Sequence, residues 1–190
     1  MKELILLFLA YAAGNCMTGP LLFGRKIRQE GSGNAGARNA GRLFGKKAFV
    51  LTFLGDALKG AAVVLAAKWF GFPPVWQLVA ATAAVLGHVF PAVFKFRGGK
   101  GMSTFIGGVL AFSPLVFAAF ACVFLIMFAA LFRSATMGGM AAVASLPLLV
   151  LLFSHTVPTF IASGVLALIV VYAHLDNIKE KWFAERTSQP

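Results

Sequence analysis

Long apolar segments take up most of this 190-residue chain, and they constrain its fold more than any other feature. Hydrophobic residues make up 59% of the sequence, only 12% are charged, and the mean hydropathy is +0.85. These values are typical of a chain that crosses a lipid bilayer and unusual for a soluble domain. The backbone of a spanning segment must satisfy its own hydrogen bonds, and runs this long favour helices over a β-barrel. We therefore predict an all-α integral membrane protein with a single polytopic membrane domain over residues 1–190.

The apolar segments predict a bundle of about seven transmembrane helices, with the N-terminus outside and the C-terminus inside. The first resembles a signal-peptide core, but no clear cleavage site follows, so we expect it to be retained, with an interruption at Gly14-Asn15. Residues 102–131 are too long for one simple span, and Ser113-Pro114 breaks the run. One kinked helix would place the basic C-terminal tail outside, whereas two helices place it inside, which the charge bias favours. The predicted segments are 4–23, 48–70, 75–94, 102–112, the rest of the run to 131, 135–153 and 158–172.

The net charge of +11 is distributed unevenly along the chain. Most lysines and arginines lie in short connections between apolar segments, as the positive-inside rule expects for cytoplasmic loops. The longest polar stretch, residues 24–47, is predicted to be a cytoplasmic loop. In this setting positive charge attracts lipid headgroups and anionic substrates, so nucleic acid is not an expected partner. The basic segments are therefore expected to face the cytoplasm.

The sequence has neither the residue spacing of a metal site nor that of a covalent nucleophile. Cys16 and Cys122 lie in apolar segments, which argues against a disulfide framework. His155 falls in a predicted outer turn, and no His, Cys, Asp or Glu set has metal-ligand spacing. No Gly-x-Ser-x-Gly motif is present. We expect neither a metal nor another cofactor.

Two glycine-rich basic stretches are candidates for phosphate binding. In residues 87–101, His88 precedes a corner formed by Gly98, Gly99, Lys100 and Gly101, and the helix predicted from residue 102 would point its N-terminal N–H groups at the same corner. Residues 31–42 combine glycines with a hydroxyl, amides and guanidinium groups, which are good phosphate ligands. The alternative for each stretch is a flexible basic loop.

Several other polar residues fall within or next to the predicted spans. Asp56 and Lys59 are three residues apart on one helix and can touch. Charges at that depth either line a polar cavity or form a structural ion pair, and the sequence leaves both possibilities open. His174, followed by Asp176 and Asn177, lies near a predicted cytoplasmic end, as does His88. The sequence thus predicts a cytoplasmic polar cleft for a phosphate-bearing molecule.

The motifs at residues 31–42, 87–101 and 174–178 together resemble those of the PlsY family, bacterial membrane glycerol-3-phosphate acyltransferases that use acyl phosphate. The Asp56, Lys59 and Gly60 pattern also matches, and the resemblance spans nearly the whole chain. There are departures. Arg38 stands where threonine is usual, and Ala173 stands where arginine is common. Glu180 and Lys181 replace an arginine-leucine pair, and Glu185 is one position from the family's late glutamate.

The resemblance implies transfer of a fatty acyl group from acyl phosphate to the 1-hydroxyl of glycerol 3-phosphate. The products would be lysophosphatidate and inorganic phosphate, in phospholipid biosynthesis, and the expected partners are the two substrates and membrane lipids. The resemblance implies a location in the bacterial inner membrane, with the active site facing the cytoplasm. It implies catalytic roles for Ser32, Arg42, His174 and Asn177, with either His174 or a substrate phosphate oxygen as the general base. The alternative function is a small membrane transporter of phosphate esters. The substrate-binding candidates are Gly31, Gly33, Asn34, Asn39, Asp56, Lys59, His88, Gly98, Gly99, Lys100 and Gly101.

Overall fold

The computed structural model describes residues 1–154 and 156–180, and every regular element in those residues is helical. A 3₁₀ turn at Ala92–Phe94 follows the sixth helix, and a π-helical turn at Met127–Phe132 extends the eighth. His155 and the last ten residues, with Lys181, Glu185 and Arg186, lie outside the described residues. In chain order the helices are α1 (Lys2–Asn15), α2 (Thr18–Phe23), α3 (Lys26–Gln29), α4 (Ala37–Phe44), α5 (Lys46–Trp69), α6 (Pro74–Val89), α7 (Met102–Phe112), α8 (Pro114–Ile126), α9 (Ala135–Ser154) and α10 (Val157–Ala173).

Within residues 1–154 and 156–180, four helical segments are long and apolar enough to cross a membrane: Lys2–Phe23, Lys46–Trp69, Pro74–Phe94 and Ala135–Phe153. Shorter apolar helices cover Met102–Phe112, Pro114–Ala130 and Val157–Ala173. Large apolar side chains are exposed around the bundle, as expected where lipid replaces water, for example those of Leu4, Phe8, Leu58, Leu168 and Tyr172. The prediction of an all-α membrane bundle is therefore confirmed in its architecture.

The apolar run at residues 102–131 is divided at Ser113, as predicted. Pro114 starts α8, and the Ser113 hydroxyl accepts a hydrogen bond from the backbone N–H of Val116 at 3.3 Å. Helix α7 has 11 residues and spans about 16 Å, which is too short to cross a bilayer alone. Its C-terminal carbonyl at Phe112 accepts a hydrogen bond from the Lys68 ammonium at 2.8 Å. This contact provides a partner for a helix end at membrane depth.

Small residues let the central helices approach closely. A Cβ added at Gly14 of α1 would lie 2.2 Å from the Ala84 carbonyl oxygen of α6. A Cβ at Gly107 of α7 would lie 1.9 Å from the Ala57 carbonyl oxygen of α5. Backbone contact of this kind is typical of helix packing in membranes, where van der Waals contact replaces hydrophobic burial. These contacts hold α1, α5, α6 and α7 together around the region described below.

The polar stretch at residues 24–47 is not the loop that its composition predicts. It contains α3 and α4. Ile27 of α3 is buried, and a Cβ added at Gly19 of α2 would lie only 2.9 Å from its Cδ1 atom. The segment folds because Ile27, Ala40 and Ala48 form a small apolar cluster beneath a glycine-rich surface. Several span limits differ from the prediction by one or two residues; helix α5, for example, covers residues 46–69 instead of 48–70. The end of the third predicted span at residue 94 is confirmed, since the apolar helical segment is Pro74–Phe94, in which the 3₁₀ turn follows α6.

The polar segments meet at one end of the bundle, which we call the basic end. It comprises residues 24–45, 90–101, 133–136 and 174–180. The Arg28 guanidinium donates to the Arg97 carbonyl oxygen at 2.8 Å, and the Arg38 guanidinium donates to the Thr136 hydroxyl at 3.4 Å. These contacts join α3 to the segment just before Gly98 and α4 to the start of α9. Segments that are distant in the sequence therefore share one surface.

Candidate active site

Asn39 is the centre of the first motif. Its buried side chain accepts a hydrogen bond from the Ser32 backbone N–H at 2.9 Å and donates to the Ile27 and Glu30 carbonyl oxygens at 2.7 and 3.1 Å. Gly31 adopts φ +63°, and a Cβ there would lie 2.3 Å from the Asn39 Oδ1 atom. Glycine at 31 and asparagine at 39 therefore fix the backbone that carries the exposed Ser32 side chain.

The rest of the first motif forms the start of α4. Asn34 Oδ1 accepts a hydrogen bond from the Gly36 N–H at 2.9 Å, which closes a turn just before the helix, and Gly33 has φ +67°. Arg38 and Arg42 are four residues apart on α4, so both guanidinium groups lie on the same side of the helix. Both are exposed at the basic end. The motif thus presents a hydroxyl and two cations from a folded support.

The second motif folds back onto the end of α6. The Gly98 N–H donates to the Val89 carbonyl oxygen at 3.1 Å, and the Gly99 N–H donates to the His88 carbonyl oxygen at 3.0 Å. Gly101 has φ +73° and directly precedes α7. We call residues 98–101 the glycine loop. It places Lys100 beside the first turn of α7, whose N–H groups have no partners within the helix.

Lys100 connects the second motif to the third. Its ammonium donates a hydrogen bond to the side-chain oxygen of Asn177. Burial lowers the pKa of Lys100, and the charge of Arg38 lowers it further, whereas Asp176 and Glu180 act in the opposite direction. Residues from all three motifs therefore influence one another electrostatically at the basic end.

His174 is oriented by the helix that it ends. Its buried imidazole has Nδ1 at 2.8 Å from the Val170 carbonyl oxygen, so Nδ1 carries the proton and Nε2 carries the free lone pair. Burial lowers the pKa of His174, and the positive charges of Lys100 and Arg38 lower it further, against the effect of the Val170 hydrogen bond. His174 is therefore a neutral imidazole at pH 7, with a nitrogen able to accept a proton.

Asp56, Lys59 and His88 form a compact group below the glycine loop. The Lys59 Nζ atom lies 3.1 Å from Asp56 Oδ1 and 2.9 Å from His88 Nδ1. Asp56 and His88 are buried, and the Lys59 side chain retains 10% of its exposure. The predicted contact between Asp56 and Lys59 is therefore confirmed, and His88 joins it from α6.

The description of the family model that matches this chain is "Glycerol-3-phosphate acyltransferase", and the match covers residues 4–183. This chain belongs to the glycerol-3-phosphate acyltransferase family. A glycerol-3-phosphate acyltransferase 1 of Bacillus cereus (strain ATCC 14579) is 40% identical over 176 residues, which are 90% of this chain and 96% of that protein. A glycerol-3-phosphate acyltransferase of Geotalea daltonii is 36% identical over 181 residues, 94% of this chain and 93% of its own length.

Two crystal structures of PlsY, an integral membrane glycerol 3-phosphate acyltransferase, are similar to this acyltransferase in fold. The glycerol 3-phosphate form is 34% identical with a TM-score of 0.86, and the match covers 97% of this chain and 94% of that one. The lysophosphatidic acid form is 33% identical with a TM-score of 0.84, covering 97% and 93%. The resemblance to the PlsY family is confirmed, and the chain is a multi-pass membrane acyltransferase.

The structure of the acyltransferase divides the predicted site residues into two layers. Ser32, Arg42, Lys100, His174 and Asn177 lie at the basic end. Asn39 and the glycines at 31, 33, 98, 99 and 101 shape the backbone around them, and Asn34 closes the turn before α4. Asp56, Lys59 and His88 form the deeper layer. Among residues 1–154 and 156–180, no group of three or more His, Cys, Asp or Glu side chains could hold a metal ion.

Sequence reasoning did not predict the role of Arg28 and Arg38 in the acyltransferase. Arg28 bonds to the Arg97 carbonyl oxygen and lies over the Phe94 ring at 4.5 Å, so it joins the first motif to the segment before the glycine loop. Arg38 reaches Thr136, which is buried at the start of α9. Neither the Arg97 carbonyl oxygen nor Thr136 could be predicted as a hydrogen-bond partner from the local sequence. The one available signal was that Arg38 departs from the family residue at its position.

Proposed function

We propose that this acyltransferase takes its acyl group from acyl phosphate and transfers it to the 1-hydroxyl of glycerol 3-phosphate. The products are lysophosphatidate and inorganic phosphate, and membrane lipids surround the enzyme. The observation that carries the proposal is the convergence of Lys100, His174 and Asn177 at one end of the bundle, beside Arg38 of α4. Two anionic substrates repel each other, and a cluster of cations and N–H donors offsets that repulsion.

The reaction needs no covalent enzyme intermediate. The 1-hydroxyl oxygen attacks the carbonyl carbon of the acyl phosphate, and the bond from that carbon to the phosphate oxygen breaks. Phosphate leaves with the electron pair, and the hydroxyl proton passes to a base. Holding the two substrates in contact contributes several kcal/mol to the lowering of the barrier. Donors aimed at the developing oxyanion contribute about 3 kcal/mol each.

His174 is the protein group best suited to act as the base. Its Nε2 lone pair is free because Nδ1 is bonded to Val170, and its lowered pKa keeps it neutral at pH 7. A positioned base of this kind accelerates proton transfer by about 10²- to 10⁴-fold. A phosphate oxygen of the substrate is the competing base. Ser32, Arg42 and Asn177 would contact the reacting groups as hydrogen-bond donors.

The glycine loop is the proposed phosphate site for glycerol 3-phosphate. Lys100 supplies the charge, and the first turn of α7 supplies N–H groups. The backbone from Gly31 to Asn34, held by Asn39, would contact the phosphate of the acyl donor. The glycines matter here because they allow a ligand to approach the backbone closely.

Apolar grooves open on the lipid-facing surface of the described residues, and we compare two of them as sites for the acyl chain. The first, about 550 Å³, is lined by Val75, Val79 and Thr82 of α6 and by α10 residues from Val157 to Val165. Its α6 residues lie about 10 to 20 Å along the helix from the end of α6, where the glycine loop packs. The second groove, about 420 Å³, ends at Ala92–Phe94, directly before the glycine loop. Only this second groove, which we call the α1 groove, would bring an acyl chain to the basic end. Its other lining residues are Phe8, Tyr11, Ala12, Asn15, Cys16, Met17 and Leu21.

The proposed orientation places the basic end in the cytoplasm. Seven membrane helices then put the N-terminus outside and the C-terminus inside, with the positive charges on the cytoplasmic side. Single cysteines at Ser32 and Asn177, in a background lacking the native cysteines, test this orientation. A membrane-impermeant thiol reagent should label neither position in intact cells and both after the membrane is opened. Labelling of either position in intact cells contradicts the orientation.

The activity is tested with purified protein in detergent. Given glycerol 3-phosphate and acyl phosphate, it should form lysophosphatidate and phosphate in equal amounts, with no release when glycerol 3-phosphate is omitted. A transporter of phosphate esters would release no phosphate in this assay because detergent solution has no compartments. Phosphate release without acylated product would also contradict the proposal.

A further inference from the structure

Three ionisable residues below the glycine loop form what we call the buried network: Asp56 and Lys59 of α5 and His88 of α6. Asp56 Oδ1 accepts hydrogen bonds from the backbone N–H and the hydroxyl of Thr18, both at 3.1 Å, and lies 3.1 Å from the Lys59 ammonium. Its Oδ1 atom is therefore engaged by α2 and by its own helix, whereas Oδ2 is buried without a hydrogen-bond partner among the described residues. Groups that bind a substrate need free donors, and the donors around this carboxylate are already used.

Lys59 holds the interruption of the first span. Its ammonium donates to the carbonyl oxygens of Gly14 at 3.0 Å and Cys16 at 2.9 Å, where α1 ends and the chain turns into α2. Carbonyl groups freed at membrane depth are costly unless they find a partner. With Asp56 Oδ1 and His88 Nδ1, these oxygens make four acceptors around an ammonium group that has three protons. Lys59 has no proton left for a substrate.

His88 transmits this arrangement to the glycine loop. An ammonium group is a donor only, so His88 Nδ1, at 2.9 Å from Lys59, must accept, and the ring proton is on Nε2. The Nε2 edge of the ring packs against Gly99. A Cβ added at Gly99 would lie 2.2 Å from Nε2, 2.9 Å from Cδ2 and 3.3 Å from Cε1, and these are its three nearest atoms. The imidazole is thus the surface on which Gly99 rests.

We propose that Asp56, Lys59 and His88 are positioning residues that act through the glycine loop, with Lys59 fixing the His88 ring and the ring fixing Gly99. Gly98 and Gly99 each donate a backbone hydrogen bond to a carbonyl oxygen of α6, and Lys100 follows directly. A shift of the Gly99 backbone therefore moves Lys100 and the start of α7. This inference rests on the proposed function in one respect: the glycine loop is the glycerol 3-phosphate site.

Two neighbouring glycines provide a matched pair for the test. The three nearest atoms to a Cβ at Gly99 all belong to the His88 ring. A Cβ at Gly98 would instead lie 2.0 Å from the His88 carbonyl oxygen, 2.5 Å from Pro91 Cδ and 2.7 Å from the Val89 carbonyl oxygen. A smaller side chain at position 88 therefore relieves an alanine at position 99. It cannot relieve an alanine at position 98, where the obstacles are backbone carbonyls and the Pro91 ring.

The experiment measures glycerol 3-phosphate binding by calorimetry on the full chain in detergent. His88→Asn keeps an acceptor near the Nδ1 position for Lys59 but removes the edge that touches Gly99. In the unaltered background, both Gly99→Ala and Gly98→Ala should weaken binding by about tenfold or more. In the His88→Asn background, Gly99→Ala should cost less than about threefold, and Gly98→Ala should cost as much as before.

The proposal is overturned if Gly99→Ala weakens glycerol 3-phosphate binding equally in the two backgrounds. It is also overturned if Gly99→Ala, with His88 intact, binds glycerol 3-phosphate as tightly as the unaltered protein. A role limited to bundle stability would lower the thermal unfolding midpoint of these variants and leave the dissociation constant unchanged. That result also counts against the proposal. Binding is measured without an acyl donor. If the unaltered protein failed to use acyl phosphate, that result would contradict the proposed function and leave this binding test intact.

Discussion

The Lys100 ammonium donates a hydrogen bond to the side-chain oxygen of Asn177, a residue 77 positions further along the chain. This contact joins the glycine loop to the segment after α10 and brings the second and third motifs into one site. The position of the ammonium is thus set by a neutral amide. An amide orients a cation without cancelling its charge, which leaves the ammonium able to attract a phosphate.

Asn177→Asp should impair the enzyme more in substrate binding than in folding. A carboxylate at this position would pair with Lys100 and reduce the positive field that the glycerol 3-phosphate phosphate meets. We expect KM for glycerol 3-phosphate to rise by about tenfold or more, and kcat to fall as well because the amide donor is lost. Steady-state kinetics with varied glycerol 3-phosphate measure this. Asp176→Asn is the matched control on the adjacent exposed residue, and it should not raise KM.

Arg42 should require its guanidinium group. Arg42→Ala is expected to lower kcat/KM by about 10- to 100-fold, the usual loss for a charge-assisted hydrogen bond to an anion. Arg42→Lys should rescue little of this because an ammonium lacks the bidentate fork. Thermal unfolding of each variant should match that of the unaltered protein, since the side chain is exposed. Near-normal kcat/KM for Arg42→Ala would remove this residue from the site.

The pH dependence should report on His174. Its folded pKa is lowered, so the imidazole stays neutral as the pH falls through 6.5, and kcat should decline only at lower pH. Arg38→Gln removes one of the cations that lower this pKa, so the acidic limb of the profile should move to higher pH. Profiles of kcat for the two proteins test the shift. An acidic limb at the same pH in both, or its persistence in His174→Asn, would favour a substrate phosphate oxygen as the base.

The α1 groove should limit the length of the acyl chain. Ala12→Trp fills part of it, so turnover of long acyl phosphates should fall while that of short ones is retained. Val165→Trp places the same bulk in the other groove and serves as the control. Relative rates with a series of acyl phosphates measure the effect. Equal loss for all chain lengths in Ala12→Trp, or a length effect in Val165→Trp, would contradict the assignment.

Local pattern predicted the parts of the fold that depend on one segment at a time. Hydropathy located the membrane helices, Ser113-Pro114 located the division of the long apolar run, and the spacing of Asp56 and Lys59 predicted their contact. These features follow from backbone geometry and from the cost of polar groups in lipid. They need no knowledge of neighbouring helices.

Features that depend on distant segments could not be predicted in this way. Residues 24–47 were expected to be a loop because glycine and charge dominate them, and only packing of Ile27 under α2 and α4 reveals helices there. The packing of His88 against Gly99 requires the chain to reverse after α6. The bond between Arg28 and the Arg97 carbonyl oxygen likewise depends on how two segments fold against each other.

The identity of the acyl donor tests the central claim most directly. Purified protein in detergent, with a chelator and no nucleotide, is given glycerol 3-phosphate and either palmitoyl phosphate or palmitoyl coenzyme A. Two phosphate-suited loops favour the acyl phosphate, so lysophosphatidate should form with release of phosphate, and the thioester should be at least about tenfold slower. Comparable rates with the thioester, or an absolute requirement for a divalent metal, would contradict the account.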